Sequence, residues 1–413
     1  MQVIAVAILA GCVGLSVSVP HSFDLRGTHI QEPCNVYEDV SHSYRSDSYD
    51  FAVKFYKAVA HRSIDFNFVY SPLSVWLILA GMAEGADSLT RQQIFNLLSL
   101  PYDDCTRQKY YQLATSHIVQ ADDIKVISNR VLLLDAGVTP NPTWYDIVNK
   151  NNLLDVLTAP IRHNPTVTVK ELKKLLRAEL PKINIEGNSV ILDTIDYNAL
   201  WTTEFADARI ERSPFHDQAG NKVGFVDLMK ITKRARIGYV KSLKAKMLEL
   251  PVGENERYRM VFAIFPESKD VRASFDVVSI EIVFEMFESF RESHVPVEVA
   301  IPRLVISSEH DVRALIADMG ITSLFDDPEA TRNVSHPPAL PSSFIQRATL
   351  TLDNHGLHSS PPAQAAPYGT PTGLDPKVGN DFIADRPFLY ALFDAETLTV
   401  MMASAYSVPT YKN

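Results

Sequence analysis

The sequence predicts a single α+β domain. Three observations carry that expectation. Apolar residues recur at helical spacing up to about residue 180. Runs rich in β-formers replace them from about residue 190. No linker or internal repeat divides the 413 residues. The composition is that of a soluble globular chain, 46% hydrophobic and 21% charged. It excludes a disordered chain, a collagen-like repeat and a coiled coil. Acids outnumber bases 49 to 39, for a net charge of −10, the opposite sign from a nucleic-acid binder.

The elements follow in order. Residues 1–19 carry no charge, 3–15 are apolar or small, and Ser16 and Ser18 are small residues placed for cleavage. Residues 1–18 are therefore read as a secretory signal peptide, and the product as secreted and extracellular. The apolar run is too short for a comfortable membrane span. A buried first helix is the alternative, and Leu9-Ala10-Gly11-Cys12 also has the form of a lipoprotein cleavage site. Residues 19–47 are polar and read as a flexible arm. In 48–60, Phe51, Phe55 and Val59 share a helical face. Ser71-Pro72 is a helix start, with serine as cap and proline in the first turn. The helix over 73–84 is apolar nearly all round, so it is expected to be buried. Helices are also predicted over 88–98, 143–151, 169–180, 273–290 and 310–319. Strands are predicted over 125–134, 190–197, 236–243, 245–250, 259–265 and 295–304. The chain closes with a hairpin, 388–393 and 399–406, turning at Asp394-Ala395-Glu396.

Removal of the leader would take Cys12 with it. Cys34 and Cys105 then remain, either as one disulfide or as two buried thiols. Asn333-Val334-Ser335 is the one open glycosylation sequon, because proline blocks the other two. The segment 356–379 holds five prolines and four glycines with almost no large apolar residue. It predicts a long exposed loop, and loops of that length are usually functional or disordered.

Catalytic signatures are missing: no G-x-S-x-G, G-x-G-x-x-G, Walker loop, H-E-x-x-H or C-x-x-C occurs. Glu281, Glu285, Glu288 and Glu292 have the spacing of a solvated helix face rather than of an acid–base pair. Lys230, Lys233, Arg234, Arg236, Lys241, Lys244 and Lys246 form a basic stretch, read as a solvated sheet edge or as a polyanion site. His355 and His358 lack a third metal ligand nearby. No enzyme activity, metal or cofactor is expected, and no nucleic-acid or membrane partner.

A family resemblance rests on motifs in order along the chain. Phe68-Val69-Tyr70-Ser71-Pro72-Leu73-Ser74-Val75 is followed by Gly81-Met82-Ala83-Glu84-Gly85-Ala86 and Thr90-Arg91-Gln92-Gln93-Ile94. Later come Asn129-Arg130-Val131, Trp201 with Phe205, Val297-Glu298-Val299-Ala300-Ile301-Pro302-Arg303-Leu304, the segment 315–325, and Ala384-Asp385-Arg386-Pro387-Phe388-Leu389-Tyr390. Together they resemble the serpin family of serine protease inhibitors over residues 48–409. The resemblance implies one domain of three β-sheets and about nine helices, with an exposed reactive-centre loop at about 356–379. In inhibitory members, cleavage of the loop lets it insert as a new strand of the main sheet. It also implies a sheet-opening region at Ser71, Ser74, Asp193, Trp201 and Gln346. Here Asp193 stands where the family usually has Asn, and Gln346 where it usually has His.

The hinge departs from the inhibitory pattern. It reads Gly356-Leu357-His358-Ser359-Ser360-Pro361-Pro362, where inhibitory members carry small residues. Proline lacks the N–H that a central strand needs. The family's usual spacing puts the scissile bond at Thr370-Pro371, a poor site for proteolysis. Lys377-Val378 is the alternative, further along the loop. The expected function is that of a secreted, non-inhibitory serpin acting by binding, as a carrier, storage protein or decoy. A functional extracellular serine protease inhibitor is the alternative. The partner is an extracellular protease or another, unidentified molecule, and the protein is expected to be a monomer.

Overall fold

The computed structural model describes residues 35, 37–63, 67–116, 124–163, 165–176, 186–202, 205, 209–253, 256–265, 271–358, 381–397 and 399–410. One compact unit runs from Asp39 onward. Among the described residues it has ten helices: α1 (Ser41–Arg62), α2 (Pro72–Ala83), α3 (Ser88–Leu98), α4 (Asp104–Thr115), α5 (Pro142–Lys150), α6 (Pro165–Leu176), α7 (Ala273–Val277), α8 (Ile280–Ser289), α9 (Val312–Asp318) and α10 (Ser323–Asp326).

The main sheet has six strands in the order β13 (Leu304–Asp311), β15 (Pro341–Leu352), β16 (Gly356–His358), β5 (Ser189–Leu200), β2 (Ile124–Asp135) and β4 (Asp155–Ala159). Below the short β16, β15 pairs directly with β5 in parallel. A seven-stranded sheet runs β1 (Phe68–Tyr70), β19 (Val400–Tyr406), β18 (Phe388–Asp394), β10 (Tyr258–Ile264), β9 (Ala245–Val252), β8 (Arg236–Val240) and β11 (Arg291–Glu292). A four-stranded sheet runs β17 (Phe382–Ile383), β12 (Val297–Pro302), β7 (Lys222–Lys233) and β6 (Arg209–His216). The strands β3 (Thr139–Pro140) and β14 (Ser335–His336) add a two-stranded pairing.

Helix α2 is the central pillar. Every residue in it is buried, as its all-round apolar sequence predicts. Ser71 caps it by accepting a hydrogen bond from the Ser74 N–H at 3.2 Å, and Pro72 sits in the first turn, where no N–H is needed. The largest core cluster packs α1, α2, α3 and α8 between the sheets. A second cluster lies between the seven-stranded sheet, the four-stranded sheet and the upper part of the main sheet.

Several expectations are corrected. Helix α1 begins at Ser41, inside the predicted arm of 19–47, because Tyr44 is buried edge-on against Trp76 and Tyr110. The helix expected over 273–290 is two helices, broken where Val278 and Ser279 turn extended. Helix α4 and strands β6 and β7 were not expected. The basic stretch is not one sheet edge. Lys230 and Lys233 lie on β7, inside the four-stranded sheet, and Lys230 faces Glu211 at 3.2 Å and Glu298 at 3.8 Å. Arg236 belongs to the other large sheet and pairs with Glu249 at 2.8 Å.

Candidate functional site

The chain leaves β15 through a tight turn and doubles back. Asp353 organises the turn: its Oδ1 accepts from the N–H groups of His355 (2.8 Å) and Gly356 (3.2 Å). Its own N–H donates to Gly356 O at 3.0 Å. Trp201 holds the turn from the side. The indole Nε1 donates to Asp353 O at 2.8 Å, and the Trp201 N–H donates to His355 O at 3.0 Å.

Strand β16 then runs antiparallel between β15 and β5. Leu357 lies opposite Leu352 on one side and Ala199 on the other, and Gly356 lies opposite Leu200. The start of the loop is already a strand of the main sheet. Leu357 is fully buried in the second core cluster, so the side chain that departs from the usual hinge acts as an apolar anchor. Gly356 has φ +149°, and a Cβ there would collide with the Ala199 carbonyl oxygen. Glycine is required by both the conformation and the close approach.

Further down the sheet, Asp193 of β5 stands in register with Gln346 of β15 and with Arg130 of β2. Gln346 is in turn opposite His310 of β13. The N-terminus of α2 sits over this row. Ser74 Oγ donates to Asp193 Oδ1 at 2.6 Å, and Gln346 Nε2 donates to Asp193 Oδ2 at 2.6 Å. Ser71 Oγ donates to Met401 O at 2.7 Å. Arg130 is buried too, but it donates to Leu153 O, Asn152 O and Ser128 Oγ rather than to the carboxylate. Burial pushes the Asp193 carboxyl up to about 6, against the hydrogen bonds from Gln346 and Ser74 and the charge of Arg130.

The third feature is a cavity of about 130 Å³ between α1, α8 and the seven-stranded sheet. Met247, Val261, Ile282, Met286, Phe393 and Ala403 are among its apolar lining residues. Tyr49, Tyr56, Tyr70 and Tyr390 also line it through their rings; their hydroxyls are buried and have no hydrogen-bond partner among the described residues, and the lining surface is almost wholly apolar. Burial pushes all four phenols above their ordinary range, so each remains neutral. A buried hydroxyl without a partner is unusual in a folded protein and costs roughly 1–3 kcal/mol.

The fold joins the predicted sheet-opening residues Ser71, Ser74, Asp193 and Gln346 into one network, and puts Trp201 at the hinge turn. Of the predicted hinge, Gly356, Leu357 and the backbone of His358 lie within the described residues. Ser359, Ser360, Pro361, Pro362, Thr370, Pro371, Lys377 and Val378 lie outside them. Cys105 is disulfide-bonded, and Cys34 lies outside the described residues. Asn333 is exposed. Glu285 is tied to the Lys241 N–H and to Ser242 Oγ, and Glu281 to Ser279. Among the described residues no group of three His, Cys, Asp or Glu has a metal-holding arrangement. No described helix is long and apolar enough to cross a membrane. Sequence reasoning missed the cavity and its tyrosines, His310 and Arg130. Their signal exists only in the register between distant strands.

The domain is mixed α+β, and β16 seats the start of the 356–379 segment inside its main sheet. The family model Serpin (serine protease inhibitor) matches residues 46–409, and the chain belongs to that family. Serpin-Z10 of Arabidopsis thaliana is 22% identical over 351 residues, covering 79% of this chain and 87% of that one. Among solved structures, Manduca sexta serpin-12 superposes with a TM-score of 0.74 at 19% identity, covering 89% of this chain and 99% of that one. Thyroxine-binding globulin in complex with thyroxine superposes with a TM-score of 0.77 at 16% identity, over 89% of this chain and 100% of that one.

Proposed function

We propose that this serpin acts by binding rather than by trapping proteases or catalysing a reaction. Its ligand is a small, largely apolar molecule held in the cavity between α1, α8 and the seven-stranded sheet. The observation that carries this reading is the cavity itself, about 130 Å³ with an almost wholly apolar lining, set between α1, α8 and the seven-stranded sheet. A ligand with an apolar ring would fill it, and the volume suits a ring-sized group. The superposing thyroxine-binding globulin is a serpin-fold protein found in complex with a small molecule. Secretion, with removal of residues 1–18 and a glycan on Asn333, completes the reading, and places a carrier in the extracellular space.

The hinge supports the loss of trapping. Continuing the β16 register from Leu357 would put Pro361 between Ala348 and Ile195, and Pro362 between Arg347 and Thr194. Each proline would remove a ladder donor from the middle of the sheet, at roughly 1–3 kcal/mol apiece.

The test uses 8-anilinonaphthalene sulfonate as probe, with the full chain and an Ala403→Leu variant that fills the cavity. Saturable one-site binding that the variant abolishes supports the carrier. Absence of binding, or binding that survives the filled cavity, sinks it. The second reading, a protease inhibitor using the loop, is favoured by one observation: β16 is already seated in the sheet. A complex with a serine protease that survives sodium dodecyl sulfate would establish it.

A further inference from the structure

Four side chains form a cross-sheet row: His310, Gln346, Asp193 and Arg130, contributed by β13, β15, β5 and β2 in register. Asp193 and Gln346 together join both sides of the parallel β5–β15 seam to the start of α2, and Asp193 is the member of the pair that carries a titratable proton. One oxygen takes the Ser74 hydroxyl and the other takes the Gln346 amide. No ion pair neutralises it among the described residues, because Arg130 spends its donors on Leu153 O, Asn152 O and Ser128 Oγ.

We propose that Asp193 is a proton-operated latch, in which uptake of a proton by its carboxyl under mildly acidic conditions tightens the closed seam between β5 and β15. The buried carboxylate is costly while charged and cheap once neutral. Protonation keeps the geometry. A neutral carboxyl still accepts from Gln346 through one oxygen, while its O–H donates to Ser74 Oγ.

The sign follows from where the proton binds. In the closed sheet the carboxyl takes its proton at about pH 6, whereas an opened, hydrated carboxyl takes it near an ordinary aspartate value of about 3.9. The closed form therefore holds the extra proton between those values. Its advantage is full below the lower one and is lost as pH rises through about 6.

The other titratable groups around the row are accounted for. Tyr197, on the same strand, donates to Met401 O, and burial pushes its phenol up, so it stays neutral. Burial pushes the Arg130 guanidinium down, against the charges of Asp193 and of Asp155 on β4. His310 bonds to Val69 O at 2.9 Å, and burial pushes its imidazole down. Acidification through the usual histidine range therefore weakens the fold at His310, opposing the Asp193 effect. Asp196, three residues further along β5, on the opposite face of the sheet and half-buried, is also pushed up to about 6 by burial and acts with the same sign as Asp193.

The experiment is amide hydrogen exchange on the full chain at about pH 7.5 and about pH 5, corrected for intrinsic exchange. The variants are Asp193→Asn, Asp196→Asn and His310→Gln. The expected result is about tenfold higher protection of the β5 and β15 amides around Asp193 at the lower pH, relative to β10 and β18. Asp193→Asn removes that rise, Asp196→Asn keeps most of it, and His310→Gln enlarges it. A rise that persists in Asp193→Asn overturns the latch. If that variant does not fold, the His310→Gln chain with Asp196→Asn added decides: a flat local profile in it overturns the latch, and a local rise supports it.

Discussion

Gln346 and Ser71 are joined by a reciprocal pair of hydrogen bonds. The Ser71 N–H donates to Gln346 Oε1 at 2.9 Å, and Gln346 Nε2 donates to Ser71 O at 2.9 Å. One side-chain amide thus satisfies both main-chain polar groups of the residue that caps α2, and its second N–H reaches Asp193 Oδ2. All three residues are fully buried, so no water replaces a lost partner. The prediction is that Gln346→Ala costs about 3 kcal/mol or more, because it leaves several buried polar atoms unpaired. Urea unfolding monitored by tryptophan fluorescence measures it. A loss under about 1 kcal/mol would mean that α2 is held to the sheet by packing alone.

That network marks the boundary of what the sequence could tell. The local signals were legible. Ser71-Pro72 announced α2, the apolar run over 125–134 announced β2, and the closing hairpin formed between β18 and β19 as expected. The motifs also named Asp193 and Gln346 as partners, by resemblance. What stayed hidden was made by tertiary contact. Helix α4 carries few apolar residues, and it is fixed by Arg107 and Tyr111 on Glu84. The cavity tyrosines come from α1, β1 and β18 and pack with residues of α8, β10 and β19, so no window of sequence contains the site. The seated β16 was hidden because a three-residue strand has no period to read.

The hinge yields a second prediction. Gly356 and Leu357 hold β16 by different means, the first by allowing the backbone to approach Ala199 and the second by burying an apolar side chain. Gly356→Ala forces a Cβ into the Ala199 carbonyl in a conformation that costs an L-residue about 1–3 kcal/mol. Leu357→Ala removes buried apolar volume at about 2–5 kcal/mol when the site does not collapse. Both are expected to unseat β16 and to expose the peptide bonds after Asp353. Limited proteolysis with a nonspecific protease, read by mass spectrometry, should show new cuts around 354–358 in both variants. Unchanged cleavage in both would mean that the Asp353 turn and Trp201 hold the segment without β16.

The last prediction concerns the prolines. Leu357 opposite Leu352 and Ala199 fixes the register that any further insertion must follow. In that register Ala363 would arrive between Gln346 and Asp193, so complete insertion must part the hydrogen bond between them. Before it gets there the strand must pass two positions with no N–H to offer. The wild-type chain, nicked between Gly356 and Gly379, is therefore expected to unfold at the temperature of the intact chain. Pro361→Ala with Pro362→Ala restores two donors and removes a barrier of roughly 2–6 kcal/mol in total. The double variant, once nicked, is expected to melt several degrees higher than its intact form. A large rise in the nicked wild type would show that the loop inserts despite its prolines, and would return the inhibitor reading to first place. A double variant that gains nothing would place the block elsewhere, at the Asp193–Gln346 seam, where the same melts on a Gln346→Ala background would find it.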